Sequence, residues 1–437
     1  MVTGRGRPRR IWLCRRSAIA AHLRDGRGGA GAASARYERV GLTHGEFVFV
    51  YRLPIQSALR SNRKMRKPMS HDPGHALNAI CPYFTMFPLE FPHGILRYAP
   101  KDAVVLDPFC GRGTTNYAAR FLKRASYGID SSPIAVSIAK AKLASARSDD
   151  VLKLARQILR NEAGAKPVVP QGEFWQHAFH PQTLRQVCLL RAALATLRSD
   201  AANLLRGVVL GCLHGPLTRD PALASYFSNQ MPRTFASKPA YSVRYWRERK
   251  LAPRHVDVMG PIRKKLGRIY RDGEMLDRQQ GCVVHGDSTK ASAYKNLPDS
   301  ISHVVTSPPY YGLVTYVQDQ WLRNWFLGGP ETIEYRNSAQ VSHRSPEAFT
   351  RDLAKVWNHC GVRLNASGKM VIRFGSIASR ECDAEDILRA SLDASDHHWR
   401  ITRVDNVGTA SSGKRQAHAM GASSEAATEH DFTVRPA

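Results

Sequence analysis

Hydrophobic positions fall into two periods along this chain. The run Ala103-Val104-Val105-Leu106-Asp107 is short, apolar and ends in an acid, which predicts a buried parallel strand. Residues 92–98 predict a short helix before it. A glycine-bearing stretch follows, and 114–123 then takes helical spacing. Residues 125–130 predict a second strand and 133–147 a second helix. This β-α-β-α alternation is the pattern of an open α/β sheet.

The rhythm breaks over 149–280. Leu152, Ala155, Ile158 and Leu159 share one helical face, and Leu184, Val187, Leu190, Leu194 and Leu197 share another, with Pro181 near its first turn. Residues 204–213 and the basic amphipathic stretch 262–271 read as further helices. Strands return at 281–287, 303–307, 369–374 and 400–404, with helical patterns at 319–326 and 349–358. The tail from Gly408 is rich in Gly, Ala and Ser. The expected fold is an open twisted α/β sheet with helices on both faces. Residues 69–148 and 281–437 supply it, and 149–280 form a mainly helical inserted subdomain.

Composition sharpens this picture in two places. Hydrophobic residues make up 43% of the 437, ordinary for a chain that buries a core. The longest apolar runs, such as 207–213, fall far short of the ~20 residues of a membrane span, so no membrane partner is expected. The net charge of +28 points to a polyanionic partner, with nucleic acid first. Residues 1–68 contribute +13 of it and the remaining chain is still basic. That Arg- and Gly-rich head reads as a disordered basic arm or as a spurious extension ahead of Met69. The second reading is favoured, and it expects a chain starting at Met69 to fold and act. Eight scattered cysteines form no C-x-x-C pair, so reduced thiols in the cytoplasm are expected. His177 and His180 have no evident third ligand and read as helix-surface residues.

Two constellations carry chemistry. Asp107-Pro108-Phe109-Cys110-Gly111-Arg112-Gly113-Thr114-Thr115 lies between a strand and a helix. Its glycines allow a tight turn and close approach to a ligand, and the helix start offers unpaired N–H groups. Asp130 ends the next strand, where an acid can accept from ribose hydroxyls; it also reads as an N-cap for the following helix. The second constellation is Thr306-Ser307-Pro308-Pro309-Tyr310, at a strand end. Two prolines fix φ and remove two donors, leaving a rigid corner of carbonyls, a hydroxyl and an aromatic ring. Such a corner suits a flat substrate with an exocyclic amine: Ser307 and a proline carbonyl accept from its two N–H groups, and Tyr310 stacks on the ring.

Together these motifs resemble the S-adenosylmethionine-dependent amino-group DNA methyltransferases, over roughly residues 80–147 and 281–405. Ser-Pro-Pro-Tyr resembles their cytosine-N4 branch; the adenine-N6 branch usually has Asp or Asn before the prolines. The resemblance implies a Rossmann-like methyltransferase sheet. It implies that Tyr83 and Phe87 help to enclose the cofactor and that Asp107, Phe109, Gly111, Gly113 and Thr114 surround its methionine end. Asp130 matches the ribose acid, Asp287 the acid near the adenine, and Ser307, Pro308, Pro309 and Tyr310 the catalytic corner. The long insert after the second strand departs from the pattern.

The implied reaction methylates the N4 amine of cytosine in double-stranded DNA, in a bacterial or phage setting, either beside a cognate restriction endonuclease or as an orphan enzyme. It calls for no metal, and the Pro-Cys pair of cytosine-C5 enzymes is absent. The base must be flipped out of the duplex, at a few kcal/mol. Within the insert Arg233, Lys238, Arg244, Arg247 and Arg249 stand among aromatics; they read DNA, or they are the solvated face of a helical lid. Lys414 and Arg415 in the tail are further phosphate candidates. Alternatives are adenine-N6 methylation, methylation of an RNA base or a protein glutamine, and a non-catalytic DNA-binding relative.

Overall fold

The computed structural model describes residues 74–83, 87–160, 167–216, 218, 220, 223–228, 238–271, 277–312, 317–334, 341, 344–375, 383–409 and 428–437. The basic head, Met69, Arg233, Lys414 and Arg415 lie outside the described residues. After the short helices α1 (Gly74–Asn78) and α2 (Glu90–Leu96) come β1 (Val104–Asp107), α3 (Thr114–Phe121), β2 (Ala125–Asp130) and α4 (Pro133–Leu143). Six helices follow: α5 (Ser148–Arg160), α6 (Glu173–Ala178), α7 (Pro181–Thr196), α8 (Asp200–Cys212), α9 (Pro239–Glu248) and α10 (Met259–Ile269). The chain then forms β3 (Gly281–His285), β4 (Ile301–Thr306), α11 (Val317–Phe326), α12 (Pro346–Arg363), β5 (Leu364–Gly375), α13 (Ala384–Asp393), β6 (Trp399–Thr409) and β7 (Thr428–Pro436).

The seven strands make one sheet in the order β3-β2-β1-β4-β5-β7-β6. The pairs from β3 through β5 are parallel, whereas β7 runs antiparallel to both β5 and β6. Alternation along the central strands feeds two cores. Val105, Val305 and Val371 face one cluster, and Leu106, Val304, Met370 and Ile372 face the other. Both faces are therefore covered by helices, which is why these strands read as unbroken apolar runs.

Helix starts follow their caps. Ser132, Ser199 and Ser345 each accept from the N–H three residues on, His180 accepts from Gln182, and proline opens α4, α7 and α12. The N-cap of α4 is thus Ser132, not Asp130. Helix α4 also stops at Leu143, earlier than its spacing predicts. Buried Arg120 donates to the carbonyls of Lys142 (2.5 Å) and Ala144 (3.0 Å) and to Ser145 Oγ (2.8 Å), satisfying the orphan acceptors of that helix end.

Among the described residues, the helices of 149–280 have no core of their own. Val151, Leu190, Val208, Trp246 and Ile262 belong to the same apolar cluster as Val105 of the sheet and Ile138 of α4. Contact is close: a Cβ on Gly207 of α8 would lie 2.4 Å from the Cβ of Ala141 on α4. Among the described residues, no helix is long and apolar enough to cross a membrane.

Candidate active site

Parallel pairing puts the two sequence motifs side by side. β1 and β4 are neighbours, and the glycine loop leaves the C-terminal end of one while the proline corner leaves the same end of the other. The Thr306 hydroxyl donates to Asp107 Oδ1 at 2.6 Å, tying the two exits together. This is the crevice where open α/β sheets bind ligands.

Asp107 is fully buried. Its Oδ1 also accepts from the Phe109 N–H at 3.1 Å, while Oδ2 is buried with no hydrogen-bond partner. Burial pushes its pKa up to about 7, against the opposing pull of its hydrogen bonds. Phe109 is half-buried, its ring edge to face with Trp357 at 6.5 Å. Gly111 and Gly113 adopt φ of 50° and 70°, the left-handed region. Gly113 is further constrained, because a Cβ there would lie 2.6 Å from the Cβ of Ala139. Gly113→Ala is expected to cost about 1–3 kcal/mol of stability and to weaken cofactor binding. Denaturant melts and a binding titration check this; a variant matching wild type in both would show that the bend is not needed.

Asp130 holds the loop from the other side. Its Oδ2 accepts from Gly111 N–H (2.9 Å) and its Oδ1 from Ser132 N–H (2.8 Å). Burial raises its pKa, and these two backbone donors oppose that rise. A carboxylate has about four lone-pair sites, so capacity remains for a pair of hydroxyls. Tyr83 lies beside it: the Tyr83 side chain bonds Ser132, and burial together with the Asp130 charge pushes its phenol up. Phe87 meets Phe91 edge to face at 5.3 Å. Asp287 lies two residues beyond β3, where its Oδ1 accepts from the Thr289 N–H (2.9 Å) and hydroxyl (2.8 Å). Thr114, buried, opens α3 behind the bend.

The corner itself is half-buried at Ser307, Pro309 and Tyr310 and buried at Pro308. The Tyr310 hydroxyl donates to Glu429 Oε1 at 2.6 Å, and the ring packs edge-on against Phe374.

Two features escape a motif reading. Arg112 of the glycine loop and Lys142 of α4 are both buried, and both grip Asn78: Lys142 Nζ donates to Asn78 Oδ1 at 2.8 Å, and Arg112 donates to Asn78 O and Oδ1. Burial and the neighbouring Arg112 charge hold the Lys142 amine far below its ordinary range. This clasp fixes the segment carrying Tyr83 against the loop. The other is Glu429, 4% exposed, on a strand the glycine- and serine-rich tail did not advertise.

In the insert, Arg247 pairs with Glu173, Arg249 lies 3.9 Å over the Tyr245 ring and Arg244 lies 5.6 Å over Tyr241. Lys238 precedes α9 and is exposed. Among the described residues no group of three His, Cys, Asp or Glu side chains is placed to hold a metal ion.

Taken together, an acid with an unpartnered buried oxygen, a glycine bend and a second acid with spare acceptor capacity fit a cationic, ribose-bearing cofactor. Comparison with known proteins agrees in part. The family model of the N6/N4 DNA methylases matches residues 8–141, a stretch that contains the glycine loop and Asp130 but not the proline corner. No curated protein matches the chain. Two structures of the rRNA methyltransferase aviRa from Streptomyces viridochromogenes align at 11% and 10% identity, each with a TM-score of 0.29. They cover 81% and 82% of this chain and 87% and 89% of their own. Over residues 8–141, well under half of its length, the chain is similar to the N6/N4 DNA methylases.

Proposed function

We propose that this chain methylates the N4 amine of cytosine in double-stranded DNA. The observation that supports the reading most is the 2.6 Å bond from Thr306 to Asp107, which ties the exits of the glycine loop and the proline corner together. S-adenosylmethionine, when bound, supplies a methyl already activated by the sulfonium. Asp107, Phe109, Gly111, Gly113 and Thr114 line the loop side, and Tyr83, Asp130 and Asp287 the ribose and adenine side.

The remaining work belongs to the corner. An exocyclic amine shares its lone pair with the ring and is a poor nucleophile. Ser307 and a proline carbonyl, accepting from its two N–H groups, favour a nitrogen whose lone pair is free to attack. Proline rings hold those acceptors in place before substrate arrives, so catalysis is mainly alignment plus stabilisation of the charge that develops on nitrogen. Serine rather than Asp or Asn at this position favours cytosine over adenine.

Residues 149–280 are the proposed target-recognition region. Arg244 and Arg249 lie over tyrosine rings and Lys238 is exposed, an arrangement suited to phosphate or base-edge contacts, while Arg247 is engaged by Glu173 and Arg249 also lies 3.7 Å from Glu248.

Nucleoside mass spectrometry on unmodified DNA, after incubation with the protein and the donor, tests the reading. N4-methylcytosine is the expected product. N6-methyladenine would move the enzyme to the other branch, and product on RNA alone would reject DNA as substrate.

A further inference from the structure

A groove of about 450 Å³ runs along the free edge of the sheet, beside β3, the last strand in the order. Its walls are α4, the end of α7, the start of α8 and the segment leading into β3. The glycine loop, Asp130 and the proline corner do not line it. Lys140, Arg198, Arg206 and Arg278 do, and among the described residues Asp200 is the one lining carboxylate. That acid is engaged: its Oδ2 accepts from the Ser145 N–H at 3.0 Å, and its Oδ1 lies 3.9 Å from Arg278. The arginines further in meet neutral acceptors. Arg206 donates to the carbonyls of Leu194 and Leu197 and to Asn203 Oδ1, and Arg198 to the carbonyls of Ala195 and Leu197. Those bonds satisfy the C-terminal end of α7 and leave both charges uncancelled. Lys140 shares the groove with them. Its partial burial, and then the charges of Arg198 and Arg206, hold its amine below the ordinary lysine range.

Like charges gathered around a concavity repel one another and focus a field that draws in an anion. Guanidinium and ammonium groups together match a phosphate, the first as a fork of donors and the second as a point charge. The groove also has an apolar wall, from Val136, Leu143, Leu194 and Phe326, where an organic body can lie. Its volume is in the range of small-molecule pockets. Arg206 is only 8% exposed. Its charge therefore lies below the surface, within reach of a small molecule that enters the groove and out of reach of the convex backbone of a duplex. We propose that this groove binds a small organic phosphate of nucleotide size, at a place separate from the donor crevice and from DNA. Lys140, Arg198 and Arg206 hold the phosphate, and the apolar wall holds the body of the ligand.

Calorimetric titration of the full chain at low salt, with S-adenosylhomocysteine saturating the donor crevice, tests this. Adenosine monophosphate and inorganic phosphate are the probes. The nucleotide is expected to bind at a single site, and inorganic phosphate more weakly, for lack of a body to lie on the apolar wall. Lys140→Gln and Arg198→Gln should each weaken the nucleotide about 10-fold, the scale of one charge-assisted hydrogen bond. Lys153→Gln, an exposed change on α5, should leave its affinity at the wild-type level. Lys140 is itself exposed, and without ligand Lys140→Gln should melt at or above the wild-type temperature, because a like-charge repulsion is relieved. No binding of either probe, or a nucleotide affinity that neither groove substitution moves, would overturn the site. So would a nucleotide displaced by duplex DNA, which would make the groove part of a DNA surface. A K140Q chain that melts below the wild type without ligand would assign the charge to the fold instead.

Discussion

Ser307→Ala is expected to lower turnover about 10²–10³-fold while donor affinity stays at the wild-type level, the cost of removing one preorganised hydrogen-bonding partner of the reacting group. The size of the effect follows from where the hydroxyl sits. Thr306 fixes the strand end to Asp107, and Pro308 and Pro309 fix the turn, so alanine leaves the corner's shape intact and removes one acceptor. Loss of a half-buried hydroxyl costs little stability beside this. The donor side of the crevice, held by Asp130 and the Gly111 and Ser132 N–H groups, is untouched. Single-turnover transfer beside a donor titration separates the two effects. Turnover like that of the wild type would remove Ser307 from the reaction, and a parallel fall in donor binding would make its role architectural.

The contrast between what spacing reveals and what it hides has a physical origin. The run Val104–Asp107, the glycine loop and the corner after Thr306 are local: a few consecutive residues determine a buried strand and the turn that ends it. Their juxtaposition is legible as well, because parallel neighbours in such a sheet send their C-terminal loops to one edge. Partners from distant chain segments are not legible. Tyr310 and Glu429 are 119 residues apart and Asn78 and Lys142 are 64 apart, and no local period encodes either meeting. β7 had a signal, since Phe432 and Val434 alternate with Asp431 and Thr433, but it follows a polar tail in which a two-residue period is easily passed over. The helices of 149–280 are visible as apolar faces. Their merging into the core of the sheet is not, because periodicity says which face is buried but not against what.

Relative to Asp107→Asn, the apo protein should lose stability as pH rises from about 4 to about 7. Burial raises the Asp107 carboxyl from 3.8 to about 7 in the fold. A group whose folded value lies above its unfolded one favours the native state fully below the unfolded value, and that contribution is gone once pH has risen through the folded one. A displacement of this size corresponds to about 4 kcal/mol. His303, pushed down to about 4 by burial, titrates across the same window with the opposite sign, but it is common to wild type and variant, so their difference isolates Asp107. The same charge explains why the cost is tolerated. Above pH 7 the carboxylate, with Oδ2 unpartnered, is the counter-charge that the crevice offers a cationic donor. Donor affinity should therefore rise through about pH 7 in the wild type. In Asp107→Asn it should be about 10–100-fold weaker and flat with pH, a loss on the scale of one desolvated charge interaction. Melting curves and donor titrations across pH 4–8 measure both. Parallel stability curves for the two proteins would mean that Asp107 keeps an ordinary carboxylate value in the fold. A pH-independent affinity in the wild type would mean that the donor is held by something other than this acid.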